Sequence, residues 1–380
     1  MPHIFQAIAL AQRAMHITNP NPRVGCVLET TTGIVIGQGH TQHAGGPHAE
    51  IMALRDAAER GHSALDATAY VTLEPCSHHG RTGPCCDALI AAGIRKVVAT
   101  NLDPNPLVAG QGFERLRQAG VEVELLPSDH PAAIASRELN IGFFSRMVRK
   151  TPWVRMKVAT SLDGKTALPD GTSQWITSAD ARADGHAWRA RACAILTGVG
   201  TVLQDNPRLD VRLVETPRQP HLVIVDSQLR TPPDAALFDT VGKRKIWIYA
   251  AQENNPQTQA RAHRLQQRGA DIRYCPQTIH TTSQQHQVDL QAMLRDLAQH
   301  EINELHVEAG QTLNGALVTK GLVDELLLYM APKLIGEGLG AAHFGPLASL
   351  NQTMPLEFTQ VERVGPDLRV LARVPGRDQF

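Results

Sequence analysis

Cysteine is scarce in this chain. Six thiols, Cys26, Cys76, Cys85, Cys86, Cys193 and Cys275, are scattered over 380 residues, too few and too irregular for the disulfide framework of a short secreted domain. No two of them form a C-x-x-C pair, so a thioredoxin-like redox motif is not expected. An excess of one charge is missing too, since Lys plus Arg and Asp plus Glu both number 37. A nucleic-acid binder carries a basic stripe, and none is present, so no nucleic acid is expected as a partner. No apolar run reaches membrane-spanning length, which argues against a membrane partner. The N-terminal stretch lacks a basic n-region and a small-residue cleavage site. Its Ile4, Ile8, Ala11 and Met15 recur at helical spacing, so it is read as an amphipathic helix and the protein is expected in the cytoplasm.

With 42% hydrophobic residues, the chain can build real cores, and its length suits two or three domains. Residues 1 to about 147 alternate helix and strand: a hairpin in "GCVLETTTGIVIGQG", a helix in "HAEIMALRDAAERG", then "ATAYVTLEP", "CDALIAAG", "KVVATN", "FERLRQAG" and "VEVELL". Strands interleaved with helices predict an α/β fold with helices packed on a sheet. The polar stretch "SRMVRKTP" reads as a linker, and a fresh strand pattern starts at Pro152. The second half alternates as well, from "CAILTG" to "ELLLYMAPKLIG", with residues 276–287 expected as a polar loop. We expect two domains, 1–147 and 152–375.

Chemistry concentrates in "TLEPCSHHGRTGPCCDALI" (72–90), which packs three cysteines and two histidines into nineteen positions. Upstream, "GGPHAE" puts His48 and Glu50 at a helix start, where Pro47 suits the first turn. Cys76 and Cys85 each read as sitting just before or at a helix N-terminus, which favours thiolate. One imidazole and two thiolates leave a tetrahedral zinc an open position, the mark of a catalytic site. A carboxylate two residues from the histidine can then move protons. Cys86, His78 or His79 could instead complete a closed structural site. The logic is that of zinc deaminases, whose signature is H-x-E followed by P-C-x-x-C. Here eight residues separate Cys76 from Cys85.

That departure is informative, because the text resembles the bifunctional riboflavin-biosynthesis deaminase/reductase family. The resemblance runs through "NPNPRVGCV" (19–27), "PHAE" (47–50), the 72–90 stretch and "DPNPLVAGQG" (103–112). It continues in "SLDGKTA" (161–167), "SQWIT" (173–177), "DNPRLDVR" (205–212), "VEAG" (307–310) and "APKLIG" (331–336). It implies a cytidine-deaminase-like three-layer α/β/α domain followed by a dihydrofolate-reductase-like α/β domain. It makes His48, Cys76 and Cys85 the ligands of one zinc per chain and Glu50 the catalytic proton shuttle. The implied substrate is a diaminopyrimidinone ribosylamine 5′-phosphate that loses its 2-amino group. Asn21, Asp103 and Asn105 are candidate contacts to its ring, although each is equally a turn residue.

In the second half no G-x-G-x-x-G follows a strand: "GVGTVL" (198–203) ends in Leu203 where a third glycine would stand, so a Rossmann reading fails. "HVEAGQTLNGAL" does run strand, Gly310, helix, which offers backbone N–H groups to a phosphate. Carried over by motif, the family resemblance implies NADPH lined by Ala159, Trp175, Thr201, Asp205, Ser227 and the run Gly310, Gln311, Thr312, Leu313, Asn314, Gly315 and Ala316. Substrate would meet Ser173, Arg189, Leu209, Arg212 and Glu308, with Arg189 and Arg212 on its phosphate. NADPH would deliver hydride to the ribose to give a ribitylamino product. Lys157 and Asp205 are candidate proton donors, Lys157 being equally a charge at the sheet edge, and Trp175 is equally a core residue. A homo-oligomer is expected. Two other readings are a zinc deaminase of free or RNA-borne bases with a degenerate second domain, and a zinc-stabilised binding module, which would have no use for Glu50.

Overall fold

The computed structural model describes residues 2–78, 83–106, 109–251, 256–275, 277–279 and 286–380. The chain divides into two compact units between Lys150 and Thr151. The first runs α1 (Pro2–Arg13), β1 (Gly25–Glu29), β2 (Val35–His40), α2 (Ala49–Glu59), β3 (Thr68–Val71), α3 (Cys85–Ala91), β4 (Lys96–Ala99), α4 (Gln111–Gln118), β5 (Glu122–Leu125), α5 (Pro131–Leu139) and α6 (Ile141–Arg149).

Its sheet has the order β2-β1-β3-β4-β5. β1 is antiparallel to β2 and β3, while β3, β4 and β5 are parallel. Alternation along the strands sorts the side chains to two faces. Cys26, Leu28, Ala69, Val71, Val97 and Ala99 join the main core with α2, α3, α4 and α6. Val98 turns to the other face, against Ile4 and Ile8 of α1 and Ala132 of α5, as Val27 does against Ala7 and Leu10. Helices on both faces of one sheet make three layers, as expected.

Glycine sets how close α2 comes to the hairpin. A Cβ on Gly37 would lie 2.2 Å from the Ala53 carbonyl oxygen, and one on Gly39 would lie 2.5 Å from the Ala53 nitrogen. The buried stripe of α2 is correspondingly small: Ala49, Ala53 and Ala57, with Glu50 beside them. Glycines on the strand and alanines on the helix together seat His48 and Glu50 directly over the sheet.

The second unit runs β6 (Trp153–Ser161), β7 (Lys165–Ala167), α7 (Ala179–Arg191), β8 (Ala194–Gly198), α8 (Val199–Asp205), β9 (His221–Val225), β10 (Ile246–Ala251), α9 (Pro256–Gln267), β11 (Ala270–Cys275), β12 (Gln277–Ile279), β13 (His286–Val288), α10 (Leu290–Gln299), β14 (Glu304–Val307), α11 (Gln311–Thr319), β15 (Glu325–Ala331), β16 (Leu339–Gly340), β17 (Glu357–Val364) and β18 (Asp367–Arg373). Nine strands form one sheet in the order β11-β10-β9-β8-β14-β6-β15-β18-β17. From β11 to β15 neighbours are parallel, and β18 and β17 add an antiparallel edge. Strands covered on both faces read as near-continuous apolar runs. One exception in β6 is Arg155, which is buried but ion-paired with Glu304 at 2.9 Å and Glu325 at 2.6 Å on the flanking strands.

Four expectations are corrected. "SRMVR" is the end of α6 and not a linker, because Ile141, Phe143 and Phe144 bury that helix. Cys85 begins a helix, but Cys76 lies in an irregular segment after β3 and before α3. The 276–287 stretch contains paired strands β12 and β13, which periodicity in a polar run does not reveal. Lys157 lies on β6 inside the sheet, not at its edge.

Candidate active sites

The predicted metal residues meet at the C-terminal end of β3, where the parallel strands open between the N-termini of α2 and α3. His48 caps α2, Cys85 is the first residue of α3, and Cys76 lies on the segment leaving β3. Their ligand atoms all lie within 4.8 Å of one another. His48 Nδ1 is 3.6 Å from Cys76 Sγ and 3.3 Å from Cys85 Sγ. A tetrahedral zinc with ordinary Zn–N and Zn–S bonds separates such atoms by ~3.6 Å, so the three residues fit the metal.

The sulfurs are electrically coupled. Cys76 is pulled down to about 4, first by its hydrogen bond with Cys85. Cys85 is pushed up, first by the same bond and then by burial. A cation bound between them would take the place of the thiol proton. The Cys76 Sγ also accepts the backbone N–H of Cys85 at 3.3 Å. Glu50 is buried, and burial first, then the charge on Cys76, pushes its carboxyl up to about 7.

Cys86 points away from this cluster. Its Sγ donates to the carbonyls of Pro75 at 3.2 Å and Gly112 at 3.4 Å. Among the described residues His78 does not join the cluster, and His79 lies outside the described residues. Asn21 sits in a turn, its N–H donating to the Thr18 carbonyl. Asp103 is buried, and its carboxyl is pushed up to about 7 by burial, with the charges of Glu74 and Cys76 adding to it.

In the second unit the predicted residues gather past the C-terminal ends of the parallel strands, where ligands of open α/β sheets bind. Ala159 is near the end of β6, Thr201 and Asp205 lie on α8 after β8, and Ser227 follows β9. Gly310 precedes α11, which carries Gln311, Thr312, Leu313, Asn314, Gly315 and Ala316. The two helix starts are neighbours: a Cβ on Gly310 would lie 3.7 Å from Thr201 Oγ1, and one on Gly198 would lie 3.4 Å from Leu313. Trp175 is 61% exposed, so it is no core residue, and the Arg182 guanidinium stacks 4.5 Å from its ring centre. Burial raises Asp205 and lowers Lys157.

Arg189 and Glu308 form a two-point ion pair, Nε to Oε1 at 2.5 Å and Nη2 to Oε2 at 2.9 Å. Arg189 also donates to the Asp210 carbonyl at 3.0 Å. Arg212 pairs with the Asp210 carboxylate at 3.0 Å and gives its backbone N–H to His186 Nδ1 at 3.1 Å. Leu209 is buried with φ 51°, and Ser173 is half-buried on the segment before α7. His186 and Asp210 were missed from sequence. The available signal for His186 was its place three residues before Arg189 on one helix face.

A His/Cys/Cys cluster with a buried glutamate, followed by a sheet with paired helix starts, defines a zinc-dependent deaminase joined to a nucleotide-using reductase. Comparison with known proteins agrees on both halves. Residues 3–101 match the cytidine and deoxycytidylate deaminase zinc-binding region, and residues 152–370 match the RibD C-terminal domain. Riboflavin biosynthesis protein RibD of Escherichia coli is 43% identical over 96% of this chain and 97% of its own, and that of Aquifex aeolicus 38% over 95% of each. The solved RibD of Acinetobacter baumannii superposes with a TM-score of 0.84 at 36% identity, covering 97% of both chains. A Thermotoga maritima diaminohydroxyphosphoribosylaminopyrimidine deaminase/5-amino-6-(5-phosphoribosylamino)uracil reductase does so with 0.81 at 31%, covering 98% of this chain and 97% of its own. The chain belongs to the RibD family, the bifunctional deaminase/reductases of riboflavin biosynthesis, with zinc and NADPH as cofactors.

Proposed function

We propose that residues 1–147 deaminate the 2-amino group of a diaminopyrimidinone ribosylamine 5′-phosphate, and that residues 152–375 then reduce its ribosyl chain. The observation that carries the first step is the His48, Cys76 and Cys85 cluster, its ligand atoms within 4.8 Å of one another, with the buried Glu50 carboxyl two positions from His48. His48, Cys76 and Cys85 would hold a zinc, which when bound would lower the pKa of a water towards 7. Glu50 would accept the attacking water's first proton and pass it to the ring nitrogen, then take the remaining hydroxyl proton as the carbonyl forms and hand it to the departing ammonia. Asp103 and Asn105 border the pyrimidine. Asp103 is near enough to Cys76 for their charges to interact.

In the second domain NADPH supplies the hydride. Gly310 to Ala316, with Thr201, Asp205, Ser227, Ala159 and Trp175, bind the cofactor, and exposed N–H groups at the two helix starts receive its phosphates. Ser173, Leu209, Arg212, Arg189 and Glu308 bind substrate. The Arg189 fork is already taken up by Glu308, so Arg212, half exposed beside Asp210, is the freer phosphate partner and Arg189 holds Glu308 in place. The enzyme works in the cytoplasm as a homo-oligomer, without nucleic acid. Among the described residues no helix is long and apolar enough to cross a membrane. Purified enzyme given the diaminopyrimidinone substrate should release ammonia and then consume NADPH. Ammonia release from free cytosine or adenine nucleosides instead would overturn the reading.

A further inference from the structure

Glu74 stands two residues before the zinc ligand Cys76 and is 3% exposed. Its carboxylate accepts four backbone N–H groups. Oε2 takes those of Asp103 at 3.2 Å and Gly110 at 2.9 Å. Oε1 takes those of Gly112 at 2.9 Å and Phe113 at 3.3 Å. The last two belong to the first turn of α4, whose opening N–H groups have no partner inside the helix. Asp103 in turn fixes the next bend, its Oδ1 accepting from the Asn105 N–H at 2.8 Å.

Neighbouring contacts tighten the same junction. Cys86 ties Pro75 to Gly112 through its two hydrogen bonds, and its N–H donates to the Cys76 carbonyl at 3.2 Å. Gly112 leaves no room for slack: a Cβ there would meet the Pro75 carbonyl oxygen at 2.1 Å and Glu74 Oε1 at 3.1 Å. One carboxylate therefore joins the strand end carrying a metal ligand to the turn carrying Asp103 and Asn105.

We infer that Glu74 is a positioning residue for deamination: its carboxylate fixes the Asp103–Asn105 turn relative to the zinc ligands, and so sets where the pyrimidine lies against them. This rests on the reading of that turn as the pyrimidine wall. Misplacing a substrate-holding group by ~1 Å is enough to cost a large part of the rate.

In Glu74→Gln the amide can accept through one oxygen only, and its NH2 faces N–H donors. The KM for deamination should rise at least about tenfold, the scale of one lost charged hydrogen bond, with kcat changed less. Zinc should stay near one per chain and reduction of the deaminated substrate should be unchanged. Hydrogen exchange should show slow amides at Asp103, Gly110, Gly112 and Phe113 in the wild-type holoenzyme, faster exchange there in Glu74→Gln, and no change in α3. If Glu74→Gln does not fold, Gly112→Ala carries the kinetic test. It keeps the carboxyl group itself while forcing the turn off Pro75 and the Glu74 oxygen, and should raise the same KM. Unprotected wild-type amides, a wild-type KM in the zinc-loaded variant, or loss of zinc with uniformly faster exchange would overturn the inference. Asp103→Asn separates the two claims. An unchanged KM there, with the selective exchange change still present in Glu74→Gln, would sink the substrate reading of the turn but leave the coupling standing.

Discussion

The Sγ of Cys85 lies 3.3 Å from Nδ1 of His48, although 37 positions separate the two residues in the chain. The adjacent Cys86 thiol is buried against two backbone carbonyls on the other side of the helix start. Only one of two neighbouring cysteines can therefore reach the metal. Cys85→Ser should lose most of its zinc and lower stability, because the metal holds the folded ligand set together. Cys86→Ser should keep zinc. Metal analysis of both purified variants decides it, and full occupancy in Cys85→Ser would make the assignment wrong.

The Arg189–Glu308 pair separates two roles that the sequence merged. The pair is part-buried, each side chain 13% exposed, so removing one partner should cost less than the roughly 3–5 kcal/mol of a fully buried pair. Arg189→Ala should therefore destabilise the second unit as well as abolish reduction. Arg212→Ala should fold normally and raise the KM for the phosphorylated substrate by about 1.5–3 kcal/mol of lost binding. NADPH affinity and deamination should be unchanged in Arg212→Ala. Calorimetry and steady-state kinetics on the two variants would separate these outcomes, and matched stability losses would contradict the division.

Acid sensitivity follows from two histidines of the second unit. His186 and His221 are both pushed down to about 4, first by burial and then by neighbouring cations. An unfolded histidine titrates near ~6.5, so between there and about 4 the unfolded chain binds protons that the folded chain refuses. Stability then falls as pH drops through that window. Denaturant unfolding at pH 7.5 and pH 5 should show the loss, and His221→Gln should show less of it. An equal loss in the variant would mean other groups are responsible.

Much of this was legible because the relevant signals are local. The H-x-E spacing puts His48 and Glu50 on one helix start, and the strand-glycine-helix run locates Gly310. Short apolar runs bounded by turn residues located most strands of both sheets. What escaped depends on contacts across the fold. The place of Lys157 in the sheet depends on strand order, since β15 and β14 flank β6 but lie far from it in sequence. "SRMVR" looks polar in isolation, yet it completes a helix anchored by Phe143 and Phe144. Glu74 carries no spacing signal at all, because its four partners are backbone N–H groups 29 to 39 positions away.

The claim that one chain holds two separate sites, with Glu50 moving the protons in the first, is tested most directly by Glu50→Gln. The side chains match in shape, and the amide cannot take up a proton. Ammonia release should fall by roughly 10²- to 10⁴-fold, the range for a general acid–base group. Zinc content should stay near one per chain, and NADPH oxidation on the deaminated substrate should proceed at the wild-type rate. Ammonia release near the wild-type rate from zinc-loaded Glu50→Gln would contradict the account.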